Sequence, residues 1–76
     1  MNTKETLLEI LEDIKPDVDY ENENDLVAGG VLKSFDVMLL VSEIGNSFDV
    51  TIPIEEIKPE NFSSLDSIAE LVERLS

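Results

Sequence analysis

Gly29-Gly30-Val31-Leu32-Lys33-Ser34-Phe35-Asp36 is the stretch where a polar, glycine-bearing loop gives way to an apolar helical repeat. Val37, Leu40, Val41 and Ile44 follow at i, i+3, i+4, i+7, the spacing of one helix face, so Ser34 falls at a helix N-terminus. Backbone N–H groups are unpaired there and the helix dipole is positive, which favours a phosphate on the serine hydroxyl. The commoner role of serine at such a junction is to accept a backbone hydrogen bond as the N-cap. Ser34 is therefore read both as a cap and as a candidate modification site.

Working outward, the second helix is expected over about Ser34 to Asn46, with a turn through Gly45, Asn46 and Ser47, which tolerate left-handed dihedrals. A first helix is expected from Thr3 to Ile14. Asn2 and Glu5 offer a capping-box start, and Leu7, Leu8, Ile10, Leu11 and Ile14 form one stripe. Pro16 ends it by pushing the residue before it out of helical dihedrals. The loop from Lys15 to Lys33 is long for a small domain and must be anchored; Val18, Leu26, Val31 and Leu32 are the candidate anchors. A short third helix is expected to begin around Pro53 and stop before Pro59. A fourth starts near Ser63 or Ser64, with Ile68, Leu71, Val72 and Leu75 on its inner face. Three main amphipathic helices, one short third helix and a long first loop predict an all-α four-helix bundle, with residues 1–76 forming one domain.

A chain of this length buries about 60% of its unfolded surface, which leaves a thin core. With 18 acidic and 5 basic side chains the formal charge is −13, so nucleic acid and anionic membranes are repelled and basic protein surfaces attracted. The chain has neither histidine nor cysteine. That removes disulfides, thiol catalysis, the usual zinc sites and the commonest general base. No charged-then-apolar leader opens the sequence and no apolar run approaches a membrane span, so a cytoplasmic monomer is expected.

Two motif-like stretches fail on inspection. Asp17, Asp19, Glu21, Glu23 and Asp25 alternate like calcium-loop ligands, but Asn22 stands at the glycine position and Ala28 at that of the bidentate glutamate. The stretch reads as a solvated acidic loop, and no metal site is assigned. Lys33-Ser34 after glycines lacks both the glycine before the lysine and a leading strand, which excludes a P-loop. Ser34 has no Gly-x-Ser-x-Gly elbow and no histidine partner, so hydrolase chemistry is excluded as well.

Ser34-Phe35-Asp36, the apolar helix, and then Phe48-Asp49-Val50-Thr51-Ile52-Pro53 together resemble the acyl and peptidyl carrier proteins. Asp25-Leu26, the distance from Ser34 to Phe48, and Ser63-Ser64-Leu65 extend the resemblance over nearly the whole chain. The family usually has Asp before the serine, where this chain has Lys33; Phe35 is a familiar substitute for the leucine after it. The resemblance implies a 4′-phosphopantetheine arm, derived from coenzyme A, on Ser34, with Lys33 adjacent and loading slowed. It also implies a carrier, not an enzyme, that holds acyl or aminoacyl groups as thioesters for fatty acid, polyketide or nonribosomal peptide biosynthesis. Gly30 and Leu32 resemble D-alanyl and peptidyl carriers, which points to amino-acid cargo. The implied partners are a phosphopantetheinyl transferase and acyl- or aminoacyl-loading and processing enzymes.

At 100° per residue the second helix turns Phe35, Asp36, Leu39, Glu43 and Asn46 outward. Phe35, Asp36, Leu39 and Glu43 are the candidate partner-binding residues. Phe35 and Leu39, an i, i+4 apolar pair, either meet a partner or pack under the long loop. The alternative to a carrier is an acidic helical adaptor that binds a basic partner without an arm, and Lys33 is its main support.

Overall fold

The computed structural model describes residues 2–76. Its elements are α1 (Thr3–Ile14), α2 (Ser34–Phe48), two single 3-10 turns (Ile54–Glu56 and Pro59–Phe62) and α3 (Leu65–Leu75). The chain is all-helical, as expected; no strand occurs among the described residues.

α1 has the expected bounds because both ends are decided locally. The Asn2 side chain accepts from the Lys4 N–H at 2.8 Å, and Lys15 is extended ahead of Pro16. Leu7, Ile10 and Leu11 are buried, with Leu8 and Ile14 packed at the flank of the core. Beyond Pro16 the chain folds back on the helix end. Tyr20 is buried there, and its hydroxyl proton is shared between the carbonyls of Lys15 (2.5 Å) and Leu11 (3.1 Å) at the end of the helix, the latter also accepting from the Lys15 N–H at 2.8 Å. Tyr20 is an anchor absent from the expected set, although it is the single tyrosine of the chain.

The loop is held as its length demanded. Leu26 and Leu32 are fully buried, while Val18 and Val31 pack half-buried against the core. The Leu26 N–H donates to the Ser63 carbonyl at 2.9 Å, and the Leu32 N–H returns to the Leu26 carbonyl at 2.7 Å. Between them the chain makes a tight turn in which the Gly29 N–H donates to the Asp25 carbonyl at 2.6 Å. A Cβ on Gly29 would lie 2.6 Å from that carbonyl oxygen, so only glycine closes the turn.

α2 extends past its expected end. It runs through Gly45, Asn46 and Ser47 to Phe48, and Asp49 (φ 55°) takes the left-handed position instead. The Phe48 ring packs against the core, and that burial outweighs the weak helix propensity of Gly45 and Asn46.

The short third helix is corrected to two 3-10 turns. Pro53 is extended and precedes the first turn, Lys58 is extended ahead of Pro59, and Pro59 opens the second turn. The residues between the prolines are too few for an α-helix once the residue before Pro59 is excluded from helical dihedrals. Asn61 ties the two turns together by donating to the Glu56 carbonyl at 2.7 Å and to its carboxylate at 3.0 Å, and Arg74 reaches the same carboxylate from α3 at 3.3 Å. Ser64 caps α3 by accepting from the Ser67 N–H at 3.1 Å. Leu65, Ile68, Ala69, Leu71 and Val72 then seal the core against α1 and the second turn.

Candidate functional site

Ser34 is the first residue of α2, and the N-cap is Lys33. The capping role is therefore not the one Ser34 plays. Its side chain is exposed and makes no hydrogen bond among the described residues. The helix start is closed from the other side: the Asp36 carboxylate accepts from the Lys33 N–H at 3.1 Å, and the Lys33 carbonyl accepts the first helical bond from Val37 at 2.9 Å.

The helical wheel turned Asp36 outward, and the structure corrects this. Its side chain is only 13% exposed and is bent back to the Lys15 ammonium, 3.4 Å away at the end of α1. The Lys33 N–H first, and the Lys15 ammonium with it, hold the Asp36 carboxyl below the usual aspartate range. A depressed folded-state value means a stabilisation complete above about pH 4 and lost as the pH falls through the folded-state value. Asp36→Asn keeps an acceptor for the Lys33 N–H but loses the charge. The variant is expected to melt a few degrees lower at neutral pH, with the gap to the native chain closing at acid pH. Thermal scans at pH 7 and pH 3 check this, and a gap that persists undiminished at low pH contradicts it.

The remaining candidates are on the surface. Phe35 is 73% and Leu39 39% exposed, so neither is packed away beneath the loop, and Glu43 is exposed beside them. Two further apolar side chains are exposed without having been expected, Met38 (59%) on the same helix and Ile54 (84%) in the first 3-10 turn. Met38 lies one turn from both Ser34 and Phe35, which spacing could have revealed. Ile54 carried no such signal, because it belongs to a turn and not to a periodic helix.

Ser34 borders an open groove of about 210 Å³ between α2, the loop at Val27 and the segment from Ile57 to Phe62. Val27, Val37, Met38, Ile57, Pro59 and Phe62 form its apolar lining, and Lys58 stands at its edge. An unencumbered hydroxyl beside an apolar channel fits a phosphate-linked, partly apolar chain. Ser34 would hold such a group, and the groove would shelter it.

A small helical protein with a free serine at a helix start and an apolar face around it has the form of a carrier protein. No family model matches the chain. It is 33% identical over 69 residues to the D-alanyl carrier protein of Streptococcus suis (strain 05ZYH33), covering 90% of this chain and 87% of that protein. The D-alanyl carrier protein of Streptococcus sanguinis (strain SK36) is 32% identical over 76 residues, covering 99% of this chain and 96% of the relative. That of Streptococcus mutans serotype c (strain ATCC 700610 / UA159) is 30% identical over the same span. The chain belongs to the phosphopantetheine-binding carrier protein family that includes these D-alanyl carriers. Its role is to carry, and it is not itself an enzyme. No helix among the described residues is long and apolar enough to cross a membrane.

Proposed function

We propose that Ser34 bears a 4′-phosphopantetheine arm and that the protein, as one unit over residues 1–76, presents an aminoacyl group, D-alanyl foremost, to biosynthetic enzymes of the cytoplasm. The observation that carries this reading is the exposed Ser34 hydroxyl, free of any hydrogen bond among the described residues and bordering an apolar groove. The D-alanyl carriers among its relatives support the choice of cargo. When bound, the arm supplies a terminal thiol that holds the cargo as a thioester.

The chain's own residues do the rest. In loading, Ser34 Oγ would attack the pantetheine-side phosphorus of coenzyme A, the pyrophosphate P–O bond would break to release adenosine 3′,5′-bisphosphate, and the hydroxyl proton would pass to a base of the transferase. The N–H groups of the first turn of α2 would help hold a phosphate on Ser34 Oγ, and the Asp36–Lys15 pair pins the turn to α1. Phe35, Met38, Leu39 and Glu43 make a small face suited to brief docking on a transferase and on loading enzymes, while the acidic remainder of the surface favours partners with basic surroundings.

Incubation with coenzyme A and a broad-specificity phosphopantetheinyl transferase, followed by intact mass, tests the arm; the gain of one phosphopantetheine is expected. The loaded protein is then offered D-alanine with ATP and a D-alanine-activating ligase, and separately an acyl donor. Charging with D-alanine is expected. Charging by the acyl donor alone moves the cargo to the fatty-acid class, and no gain of the arm is the result an adaptor would give.

A further inference from the structure

The protein has five side-chain cations. Three are engaged within 4 Å of carboxylates: Lys4 with Asp66, Lys15 with Asp36, and Arg74 with Glu56. The two without such a partner among the described residues, Lys33 and Lys58, both flank Ser34. Lys33 precedes it in the chain, and Lys58 borders the same groove from the segment between the two 3-10 turns. Both are exposed, and the Lys33 ammonium lies 4.0 Å from where a Cβ on Gly30 would stand, beside the loop that leads to the serine.

The placement is notable in a chain of net charge −13. From Lys33 to Phe48 the only acids are Asp36, already paired, and Glu43, about two and a half turns from Ser34; of the acids two residues either side of Lys58, Glu56 is held by Arg74 and Asn61, and Glu60 is exposed. A phosphodiester added to Ser34 is a permanent anion joined to an already self-repelling body, so its position is favourable only where the local charge is positive. We infer that Lys33 and Lys58 form a two-armed clamp for the phosphodiester of a group attached to Ser34, one ammonium from the N-cap of α2 and one from across the groove. The clamp rests on the carrier reading above. It gives the departure of Lys33 from the usual aspartate a purpose: the charge that slows approach of the modifying enzyme holds the product. It also directs the attached chain along the groove, since Lys58 stands on the side where Ile57, Pro59 and Phe62 form the wall.

The test compares apo and arm-loaded forms of the native chain, Lys33→Gln/Lys58→Gln and, as a control for loss of a cation away from Ser34, Lys4→Gln. Intact mass first verifies loading; a native chain that gains no arm overturns the carrier reading and the clamp with it. Melting temperatures and the phosphorus-31 resonance of the loaded proteins are then recorded at low and moderate ionic strength. The loaded native chain is expected to melt no lower than its apo form, and its resonance to shift with salt as the ammonium groups are displaced. In the double variant the loaded form should melt a few degrees below apo, with a resonance at the position of a free phosphodiester that salt does not move. Lys4→Gln should keep the native difference between apo and loaded forms. A loaded double variant that matches the native chain in both measurements overturns the clamp while leaving the carrier reading intact.

Discussion

Ser34→Ala is expected to abolish uptake of the phosphopantetheine arm completely, with no gain of mass after exhaustive incubation with coenzyme A and transferase. The loss should be clean because the hydroxyl does no structural work. It makes no hydrogen bond among the described residues, the helix start is held by Asp36, and alanine is the better helix former. Helicity by circular dichroism should be unchanged and stability altered by no more than about 0.5 kcal/mol. Ser42 and Ser47 are also exposed on α2, but they lie inside the helix, away from its start and from the groove. An arm found on either of them in the alanine variant refutes the assignment of Ser34.

The largest stability effect is expected at Leu26, a residue of the loop and not of any helix. It is fully buried, its N–H ties the loop to the carbonyl of Ser63, and its carbonyl receives the N–H of Leu32. Leu26→Ala removes a buried isobutyl group and leaves a cavity in the core beneath the loop, at a cost of about 2 to 5 kcal/mol. A domain of this size is stable by only about 4 to 11 kcal/mol. The melting temperature should therefore fall by at least about 10 °C. Val31→Ala, at a half-buried anchor of the same loop, should cost clearly less. Equal losses for the two would mean that the loop is not held through Leu26. Because the loop from Leu26 to Leu32 delivers the chain to Lys33 and Ser34, this packing also determines where the serine stands.

Much of this architecture depends on neighbours in sequence and was legible there. The bounds of α1 follow from Asn2 and Pro16, the start of α2 from the change to an i, i+3, i+4 repeat, and the cap of α3 from Ser64. In each case the deciding interactions span four residues or fewer. Leu26 and Leu32 were legible for a different reason, since apolar residues in a long acidic loop have nowhere to go but the core. The place of Ser34 at the start of α2 followed from the same periodicity, which left open whether Phe35 and Leu39 face solvent or pack under the loop.

What the sequence did not disclose depends on partners distant along the chain. The wheel that turned Asp36 outward could not include Lys15, brought beside it only when α1 packs on α2. The end of α2 was misjudged because Phe48 finds the core, a gain absent from any local propensity. Tyr20 became an anchor by reaching back to two carbonyls at the end of α1, and the groove beside Ser34 exists because the second 3-10 turn carries Phe62 against α2 and α3. Local sequence thus determined an all-helical carrier with Ser34 at the head of α2. Tertiary packing alone decided that its hydroxyl is free among the described residues, that Asp36 is engaged with Lys15 and that Lys58 borders the same groove, because burial and charge pairing act between residues the chain order keeps apart.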